Sequence, residues 1–407
     1  MRQSELFTKT RREAPKDEMA KNAMLLIRGG FIHKEMAGVY DLLPLGLRVI
    51  KKIEEIIREE MNAIGGQEIE MSALQDKGVW EKTDRWSDDV VDSWFKTKFK
   101  NNTEAGLAFT HEEPLTRIMT EYISSYRDLP KYIYQFQTKF RNEVRSKSGI
   151  LRGREFLMKD LYSFSRDQKE HDEYYEKTKV AYKNVFNRAG IGEKTFITFA
   201  SGGSFSKYSH EFQTLTDAGE DVIYLDEQKK ISINKEVYND EVIRDLSLEK
   251  SDLKEVKAIE VGNIFSLGTR FSDALDLAYK DEKGEKKSVV MGSYGIGLGR
   301  LMGTVVEVLS DEKGIVWPES VAPFKYHLID INSKERSDEL YEKLSKNHEV
   351  LYDDRDLRAG EKFADADLVG IPYQVIVSER GEKDGTVELK DRKTGETKII
   401  SENNLGV

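Results

Sequence analysis

Two alternating stretches joined by a short basic loop constrain the fold of this chain more than any other feature. From 132 to 144, aromatic residues alternate with a polar set made of Gln135, Gln137, Lys139, Arg141 and Glu143. From 154 to 164, every second position forms another set, made of Phe156, Met158, Asp160 and Tyr162. A period of two is typical of β-strands. The sequence therefore predicts a hairpin whose organised polar face is the floor of a site.

The residues that flank the loop of this hairpin have the chemistry of a nucleotide site. Phe140-Arg141-Asn142-Glu143 precedes the loop, and Arg152-Gly153-Arg154-Glu155-Phe156 follows it. A guanidinium offers a planar fork that suits a phosphate, and an aromatic ring can stack on a base. Taken singly, each residue has a plainer interpretation, since Arg141 could form a cross-strand salt bridge and Phe156 could belong to the core.

Helical periodicity appears in two places in the first third of the chain. The spacing of apolar residues predicts a helix over 45–64, followed by an alternating strand over 67–74. A second helix is predicted over 113–126, with Thr110 and Glu113 as a capping box ahead of it.

Three segments in the second half of the chain differ in composition and in predicted secondary structure. Residues 226–257 are rich in Lys, Glu and Asp and are predicted to form a small surface insertion. Val289 to Gly292 is predicted to be a short strand that runs into a glycine-rich helix start. After Trp317-Pro318, strands and helices alternate, which predicts a small α/β domain with a mostly parallel sheet.

Composition bounds the class of protein. The chain has 407 residues, enough for two or three domains, with 38% hydrophobic and 34% charged residues and a net charge of −10. It has no cysteine, which excludes disulfides, cysteine-based metal sites and a cysteine nucleophile. No apolar run is long enough to span a bilayer and no secretory signal is evident, so we expect a soluble, cytoplasmic protein without a membrane partner.

The order of these motifs resembles that of the class II aminoacyl-tRNA synthetases. The hairpin residues are similar to motif 2, Gly292 to Arg300 is similar to motif 3, and 45–74 is similar to motif 1, which builds a dimer interface. Several further segments resemble bacterial prolyl-tRNA synthetases, namely Thr110 to Glu113, Arg154 to Asp160, Ser209 to Phe212, Val261 to Phe265, Gly314 to Pro318 and Asp353 to Asp367.

The resemblance implies an α+β fold with three parts. An antiparallel sheet with flanking helices would form the class II catalytic domain over 1–225 and 258–318. The stretch 226–257 would be a short insertion in place of an editing domain, which implies no hydrolytic editing of alanyl-tRNA. An α/β anticodon-binding domain would occupy 319–407.

The resemblance also implies a role for each matching residue. Arg141 and Arg300 are implied as catalytic. ATP would be bound by Arg141, Glu143, Arg152, Phe156 and Arg300. Proline would be bound by Thr110, Glu112, Arg141 and His210, with Met158 and Tyr162 as apolar wall. The tRNA would be contacted by Arg145, Arg355, Arg358 and Lys362. Thr110 could equally be a helix cap, His210 a structural histidine, and the C-terminal cations a charged surface loop.

The implied activity is that of a proline–tRNA ligase, which forms prolyl-adenylate from proline and ATP and passes the proline to tRNA(Pro). Mg²⁺ would be the metal cofactor, although the sequence alone identifies no metal ligands, and the protein would be a homodimer. Four positions depart from the family pattern, namely Ser72, Phe109, Asn263 and Ser293.

Two rival functions stay open at this point. One is a synthetase-like binding protein that has lost aminoacylation, against which the intact Arg141, Glu143, Phe156 and Arg300 argue. The other is a synthetase for threonine or glycine, against which Thr110, Glu112 and His210 argue. A threonyl enzyme would be expected to use zinc, and the chain has no cysteine to ligate it.

Overall fold

A computed structural model describes residues 1–144, 148–202 and 208–405 of the chain. The fold is α+β, as predicted. The α-helices of these residues are α1 (Lys21–Arg28), α2 (Pro44–Ala63), α3 (Lys77–Glu81), α4 (Glu112–Met119), α5 (Gln168–Arg188), α6 (Asp240–Asp245), α7 (Arg270–Ala274), α8 (Leu298–Leu309), α9 (Lys334–Leu344) and α10 (Ala359–Val369). None of them combines the length and the apolar composition needed to cross a bilayer.

The strands of the first half are β1 (Ile32–Met36), β2 (Val39–Leu42), β3 (Gln67–Glu68), β4 (Leu74–Asp76), β5 (Lys96–Lys98), β6 (Glu104–Leu107), β7 (Lys131–Phe140), β8 (Glu155–Ser165), β9 (Thr195–Ser201) and β10 (Tyr208–Leu215). Those of the second half are β11 (Asp221–Asp226), β12 (Ile231–Asn234), β13 (Lys254–Gly268), β14 (Ala278–Lys280), β15 (Lys286–Ser288), β16 (Val290–Gly297), β17 (Tyr326–Ile331), β18 (Val350–Asp353), β19 (Tyr373–Ser378), β20 (Thr386–Asp391) and β21 (Thr397–Ser401).

The predicted hairpin belongs to a sheet that has nine strands in the described part of the chain. Strand β7 pairs antiparallel with β8, from Lys131 opposite Phe164 to Phe140 opposite Glu155. The sheet has the order β10-β9-β12-β11-β13-β16-β8-β7-β3. The hairpin prediction is confirmed, and β16 and β13 extend its floor on one side because both pair antiparallel along their length.

The segment 226–257 is built into this sheet and does not lie on its surface as predicted. Strand β12 pairs parallel with β9 and antiparallel with β11. Because β10 also pairs with β13, five strands close into a ring in the order β10-β9-β12-β11-β13. The few apolar residues of the segment explain this placement, since Ile233, Val242, Ile243 and Leu248 form a buried cluster. Whether the segment replaces an editing domain stays a prediction.

Two local predictions were wrong at their ends. The strand predicted over 67–74 leaves the sheet after Glu68. The N–H of Met71 donates to the side-chain oxygen of Gln135 on β7 at 3.0 Å, and not to a backbone carbonyl of that strand. The helix predicted over 113–126 stops at Met119. The Asp128 carboxylate takes the N–H of Ser125 at 2.9 Å and starts a separate turn.

The predicted α/β arrangement at the C-terminus is confirmed. Strands β18, β17 and β19 are parallel, and β20 and β21 continue the sheet antiparallel, which the sequence did not predict.

The chain divides into two compact units. One joins residues 1–36 and 40–53 to the chain from 305 onward, and the other holds 37–39 and 54–304. This division differs from the predicted domain boundaries, which stay a prediction.

Candidate active site

The larger unit carries a set of adjoining cavities above strands β7, β8, β13 and β16. One cavity of about 340 Å³ is lined on one side by Thr110, Glu112 and Tyr162. Another, of about 260 Å³, is lined by Glu143, Arg152 and Arg300. Arg141 lines both, so one guanidinium stands where the two spaces meet.

Arg141 follows the end of β7, where its N–H donates to the carbonyl of Arg154 at 2.8 Å. Its guanidinium carbon lies 5.1 Å from the ring centre of Phe109 and 5.3 Å from that of Phe156. The buried Nε of Arg141 has no hydrogen-bond partner among the described residues. Burial, followed by the charge of Arg300, lowers the pKa of Arg141 from its usual value. A cation whose Nε is buried and unused suits an anion, because such a donor is costly until it is paired.

Arginine–carboxylate pairs border the 260 Å³ cavity, and one of them joins Arg152 to Glu220 at 3.6 Å. Arg152 donates from Nη2 and Nε to one carboxylate oxygen of Glu143, at 2.8 and 3.1 Å. Arg300 donates from Nη1 to the Glu260 carboxylate at 2.9 Å and from Nε to the carbonyl of Leu151 at 2.9 Å. The structure thus brings together the five residues predicted for ATP, since Phe156 lines an adjoining space with Arg141, Glu143, Arg152 and Arg300.

The 340 Å³ cavity contains three of the four residues predicted for proline. Glu112 is only 3% exposed, and its carboxylate accepts from the Ser293 hydroxyl at 3.3 Å and lies 3.5 Å from Arg85 Nη1. Thr110 Oγ1 lies 3.5 Å from the Tyr162 hydroxyl. Met158 and Tyr162 line this space as predicted, and so do Phe109, Asn263 and Ser293.

The capping box predicted from Thr110 and Glu113 is absent from the described structure. Helix α4 begins at Glu112 with His111 as its N-cap residue. The Glu113 carboxylate instead accepts from Arg85 Nη1 at 3.0 and 3.1 Å and from the Thr83 hydroxyl at 2.8 Å. Sequence reasoning missed Arg85, because a single arginine in a loop carries no periodic signal.

A buried charge network lies beneath the 340 Å³ cavity. Lys139 Nζ lies 2.7 Å from an Asp160 carboxylate oxygen and 2.7 Å from His111 Nδ1. Burial, followed by Lys139, lowers the pKa of His111 to about 4. A neutral His111 then accepts at Nδ1 and donates from Nε2 to the Ser72 carbonyl, 3.2 Å away. The network therefore fixes His111, which joins Thr110 to the first residue of α4, Glu112.

Carboxyl groups that the sequence did not reveal gather near the 260 Å³ cavity, of which Asp221 and Glu260 are lining residues. Gln213 Nε2 donates to Glu211 at 2.9 Å and to Asp221 at 2.8 Å. Burial, followed by the charge of Glu260, raises the pKa of Glu211 to about 8. Burial also raises the pKa of Asp221. Carboxyl groups that resist ionisation together are suited to a divalent cation, because Mg²⁺ takes oxygen ligands and offsets their charge.

Gly295 shows why the motif 3 region needs glycine at the floor of the site. It lies in β16, not at a helix start as predicted. A Cβ atom there would lie 2.3 Å from Met158 Cε and 2.9 Å from Asn263 Oδ1. Any larger residue at 295 would therefore push side chains into the cavity.

Comparison with known proteins now decides the family. The family described as tRNA synthetase class II core domain (G, H, P, S and T) matches residues 95–309, and the anticodon binding domain family matches 320–406. The chain is 40% identical to the proline–tRNA ligase of Rickettsia bellii and 38% identical to that of Caulobacter sp.. These matches cover 98% and 97% of this chain, and 96% and 95% of the relatives.

The chain belongs to the prolyl-tRNA synthetase family. A third relative, the proline–tRNA ligase of Geobacillus sp., is 34% identical over 560 aligned positions, covering 100% of this chain and 98% of the relative. Since this synthetase has 407 residues, the relative carries residues that this chain lacks.

Solved structures of other prolyl-tRNA synthetases share the fold. The Giardia lamblia enzyme, in complex with prolyl-adenylate, has a TM-score of 0.77 and 17% identity over 93% of this chain and 74% of its own. The Cryptosporidium parvum enzyme, complexed with L-proline and AMP, has a TM-score of 0.75 and 18% identity over 94% of this chain and 72% of its own.

One predicted proline ligand of this synthetase lies elsewhere. His210 sits on β10 opposite Ile264, whereas Asn263 and Phe265 line the cavity from the other face of β13. Its Nδ1 is 2.9 Å from the Tyr175 hydroxyl, and burial lowers its pKa to about 4. The structure does not bring His210 to Thr110 and Glu112, and a role in binding proline stays a prediction.

The residues predicted for tRNA contact differ in their surroundings. Lys362 is only 3% exposed and donates to the carbonyl of Asp330 at 2.8 Å. Its ammonium holds backbone inside the C-terminal sheet, and a role of Lys362 in contacting tRNA stays a prediction. Arg355 pairs with Asp353 and Asp365 at 2.7 and 3.0 Å, and Arg358 is exposed ahead of α10. Arg145 lies outside the described residues.

Proposed function

We propose that this chain activates proline with ATP to give prolyl-adenylate and transfers the proline to tRNA(Pro). The position of Arg141 carries the proposal. It stands between the space lined by Thr110 and Glu112 and the space lined by Glu143, Arg152 and Arg300. A carboxylate from the first space and an α-phosphate from the second would meet at its guanidinium.

Each remaining residue has a role that follows from its charge and place. Glu112 supplies the counter-charge for the imino group of proline, and the Thr110 hydroxyl oxygen accepts a hydrogen bond from its second N–H. Phe156 offers a ring face to adenine, and Glu143 accepts from the exocyclic amine. Arg152 and Arg300 take the γ-phosphate, which requires them to loosen their pairs with Glu143 and Glu260.

The first step needs no general base on the protein. A carboxylate oxygen of proline attacks the α-phosphorus of ATP in line, the bond from that phosphorus to the bridging oxygen breaks, and pyrophosphate leaves with the electron pair. Catalysis is then positioning and the neutralisation of charge that develops on the phosphates. In the second step a ribose hydroxyl of the tRNA attacks the carbonyl carbon, loses its proton, and AMP leaves.

Mg²⁺ fits the carboxylates on the triphosphate side. Asp221 and Glu260 line the cavity, and Glu211 shares Gln213 with Asp221. When bound, Mg²⁺ would neutralise phosphate charge. The raised pKa values of Glu211 and Asp221 support the fit. A bound cation would favour the ionised form of both carboxyl groups.

The remaining parts of the proposal concern assembly, location and fidelity. A homodimer is proposed from the resemblance of 45–74 to motif 1, and light scattering on the purified protein tests it. A cytoplasmic location is proposed from the absence of cysteine in the sequence. We also propose that alanyl-tRNA is not edited, which is supported by the shorter chain relative to the 560 positions aligned with Geobacillus sp..

ATP–pyrophosphate exchange with proline, alanine, threonine and glycine in parallel tests the activity. Exchange with proline, and weakly with alanine, is expected, because one ring methylene is worth only about 1–3 kcal/mol of discrimination. A folded protein that binds ATP but exchanges with none of the four would contradict the proposal and favour a binding protein.

A further inference from the structure

The unit that contains the C-terminal domain has a wide cleft of about 770 Å³. Basic residues dominate its lining, and they are Lys9, Arg11, Arg12, Arg28, Lys313 and Arg355. Three carboxylates, those of Glu361, Asp365 and Asp367, also line it. The cleft therefore carries an excess of three positive charges in a chain whose net charge is −10.

Half of these cations come from the N-terminal segment, which is fastened to the C-terminal domain. Arg2 forms a parallel bridge with Tyr352 and an ion pair of 2.7 Å with Asp338. The Ser4 N–H and hydroxyl donate to Asp354 at 3.0 and 2.8 Å. The side-chain oxygen of Gln3 lies 3.0 Å from Nε2 of the buried His327. Residues 2–4 thus extend the edge of the sheet beside β18.

The same segment is tied a second time where it reaches the cleft. The N–H of Arg11 donates to the carbonyl of Arg28 at 2.8 Å, and Arg28 Nε donates to the carbonyl of Arg11 at 3.4 Å. Backbone groups of Arg11 make these bonds, so its side chain is left to line the cleft. Arg12 is 94% exposed and lies 3.9 Å from Glu361 on α10.

We propose that this cleft binds the phosphate backbone of tRNA, and that Lys9, Arg11 and Arg12 supply contacts that the C-terminal domain does not provide by itself. This rests on the proposed function. Long, exposed side chains do not form the rigid cage that a small anion needs. They suit a polyanion, because binding to a phosphate backbone is driven by released counterions.

The experiment is equilibrium binding of tRNA(Pro) transcript to the full-length protein over a series of KCl concentrations. The test variant is Arg11→Ala with Arg12→Ala. The control is Lys283→Ala with Lys286→Ala, which removes the same charge from exposed positions outside the cleft. The backbone bonds of Arg11 survive its substitution, so the segment should stay in place.

The Kd of the arginine variant should rise about 10-fold near 0.1 M KCl, and the slope of log affinity against log salt should shrink by roughly 1.4–1.8. The lysine control should match the wild type in both quantities. Unchanged binding by the arginine variant, an equal loss in the control, or a weaker affinity with an unchanged slope would each overturn the proposal.

Proline-dependent ATP–pyrophosphate exchange separates this inference from the proposed function. The arginine variant should exchange at the wild-type rate, which also shows that it is folded. If the wild type itself failed to catalyse exchange while the two variants still differed in their salt slopes, that result would contradict the proposed catalysis. It would still support tRNA binding by the cleft.

Discussion

Arg300 Nη1 donates to the Glu260 carboxylate at 2.9 Å, and the same nitrogen donates to the Glu260 carbonyl at 3.0 Å. Asn263 Nδ2 holds the second carboxylate oxygen at 2.8 Å. One glutamate therefore orients the arginine proposed for the γ-phosphate and also faces the carboxyls proposed for Mg²⁺. The two roles can be measured separately, because only the role near the proposed Mg²⁺ site depends on the Mg²⁺ concentration.

Replacing Glu260 with Gln keeps the hydrogen-bond acceptor and removes the charge. We expect proline-dependent exchange to slow about 10–100-fold, the usual effect of disturbing groups around a metal, and the Mg²⁺ concentration for half-maximal rate to rise. The control is Glu220→Gln, which alters an exposed carboxylate of the same cavity and should change little. An unshifted Mg²⁺ requirement in Glu260→Gln would leave only the role of orienting Arg300.

Arg141→Ala should lower the exchange rate by about 10²–10³-fold, because a preorganised charge aimed at the transition state is lost. Arg141→Lys should recover only part of the rate, since an ammonium cannot bridge two anions as a planar fork does. Arg166→Ala, which breaks an exposed pair with Glu170, is the control. A near-normal rate in Arg141→Ala would remove this residue from the mechanism.

Glu112 and Glu113 are neighbours with different expected effects. Glu112→Gln should raise the KM for proline about 10–100-fold with little change in the KM for ATP, because a hydrogen bond to a charged group is worth about 1.5–3 kcal/mol. Glu113→Gln should mainly lower the midpoint of thermal unfolding, since losing one partner of the buried pair with Arg85 costs about 3–5 kcal/mol. If Glu113→Gln raised the KM for proline and Glu112→Gln lowered the unfolding midpoint, Glu113 would be the proline ligand and Glu112 the structural residue.

Stability should depend on pH through Glu211. Its pKa is about 8 in the folded chain, against a usual value of 4.5, so the folded state holds a proton that the unfolded state has lost between these values. The stabilisation is complete below pH 4.5 and is lost as the pH rises toward 8. Glu211→Gln mimics the protonated form, and its unfolding midpoint without Mg²⁺ should exceed that of the wild type at about pH 8 more than at about pH 5.

The effect of pH on stability through His327 has the opposite sign to that through Glu211, so the two effects can be told apart. Burial lowers the pKa of His327 to about 4 from 6.5, so its neutral form contributes stability above pH 6.5 that is lost as the pH falls toward 4. If the wild type and Glu211→Gln kept the same difference in midpoint at about pH 5 and about pH 8, Glu211 would not carry the proposed proton.

Periodic spacing of residues in the sequence predicted the strands and helices, because their packing contacts repeat along the element. The hairpin of β7 and β8, the helix α2 and the β17–β19 arrangement follow from spacings of about 2 and 3.6 residues. Family resemblance supplied Glu112, Arg141 and Arg300. What spacing could not reveal was which charges are buried, because Lys139 and Lys362 look like surface residues until their partners are known. Nor could it reveal that burial and Glu260 raise the pKa of Glu211.

The bridge between Arg2 and Tyr352 sets an order of events during synthesis. Residues 2–4 leave the ribosome long before Asp338, Tyr352 and Asp354, whose separation along the chain from their partners is 336 to 350 residues. At about 5–20 residues per second the wait is roughly 17–70 s. Throughout that interval residues 2–4 lack these C-terminal partners, while Arg11 can already bond to Arg28, so the two attachments of the N-terminal segment form at different times.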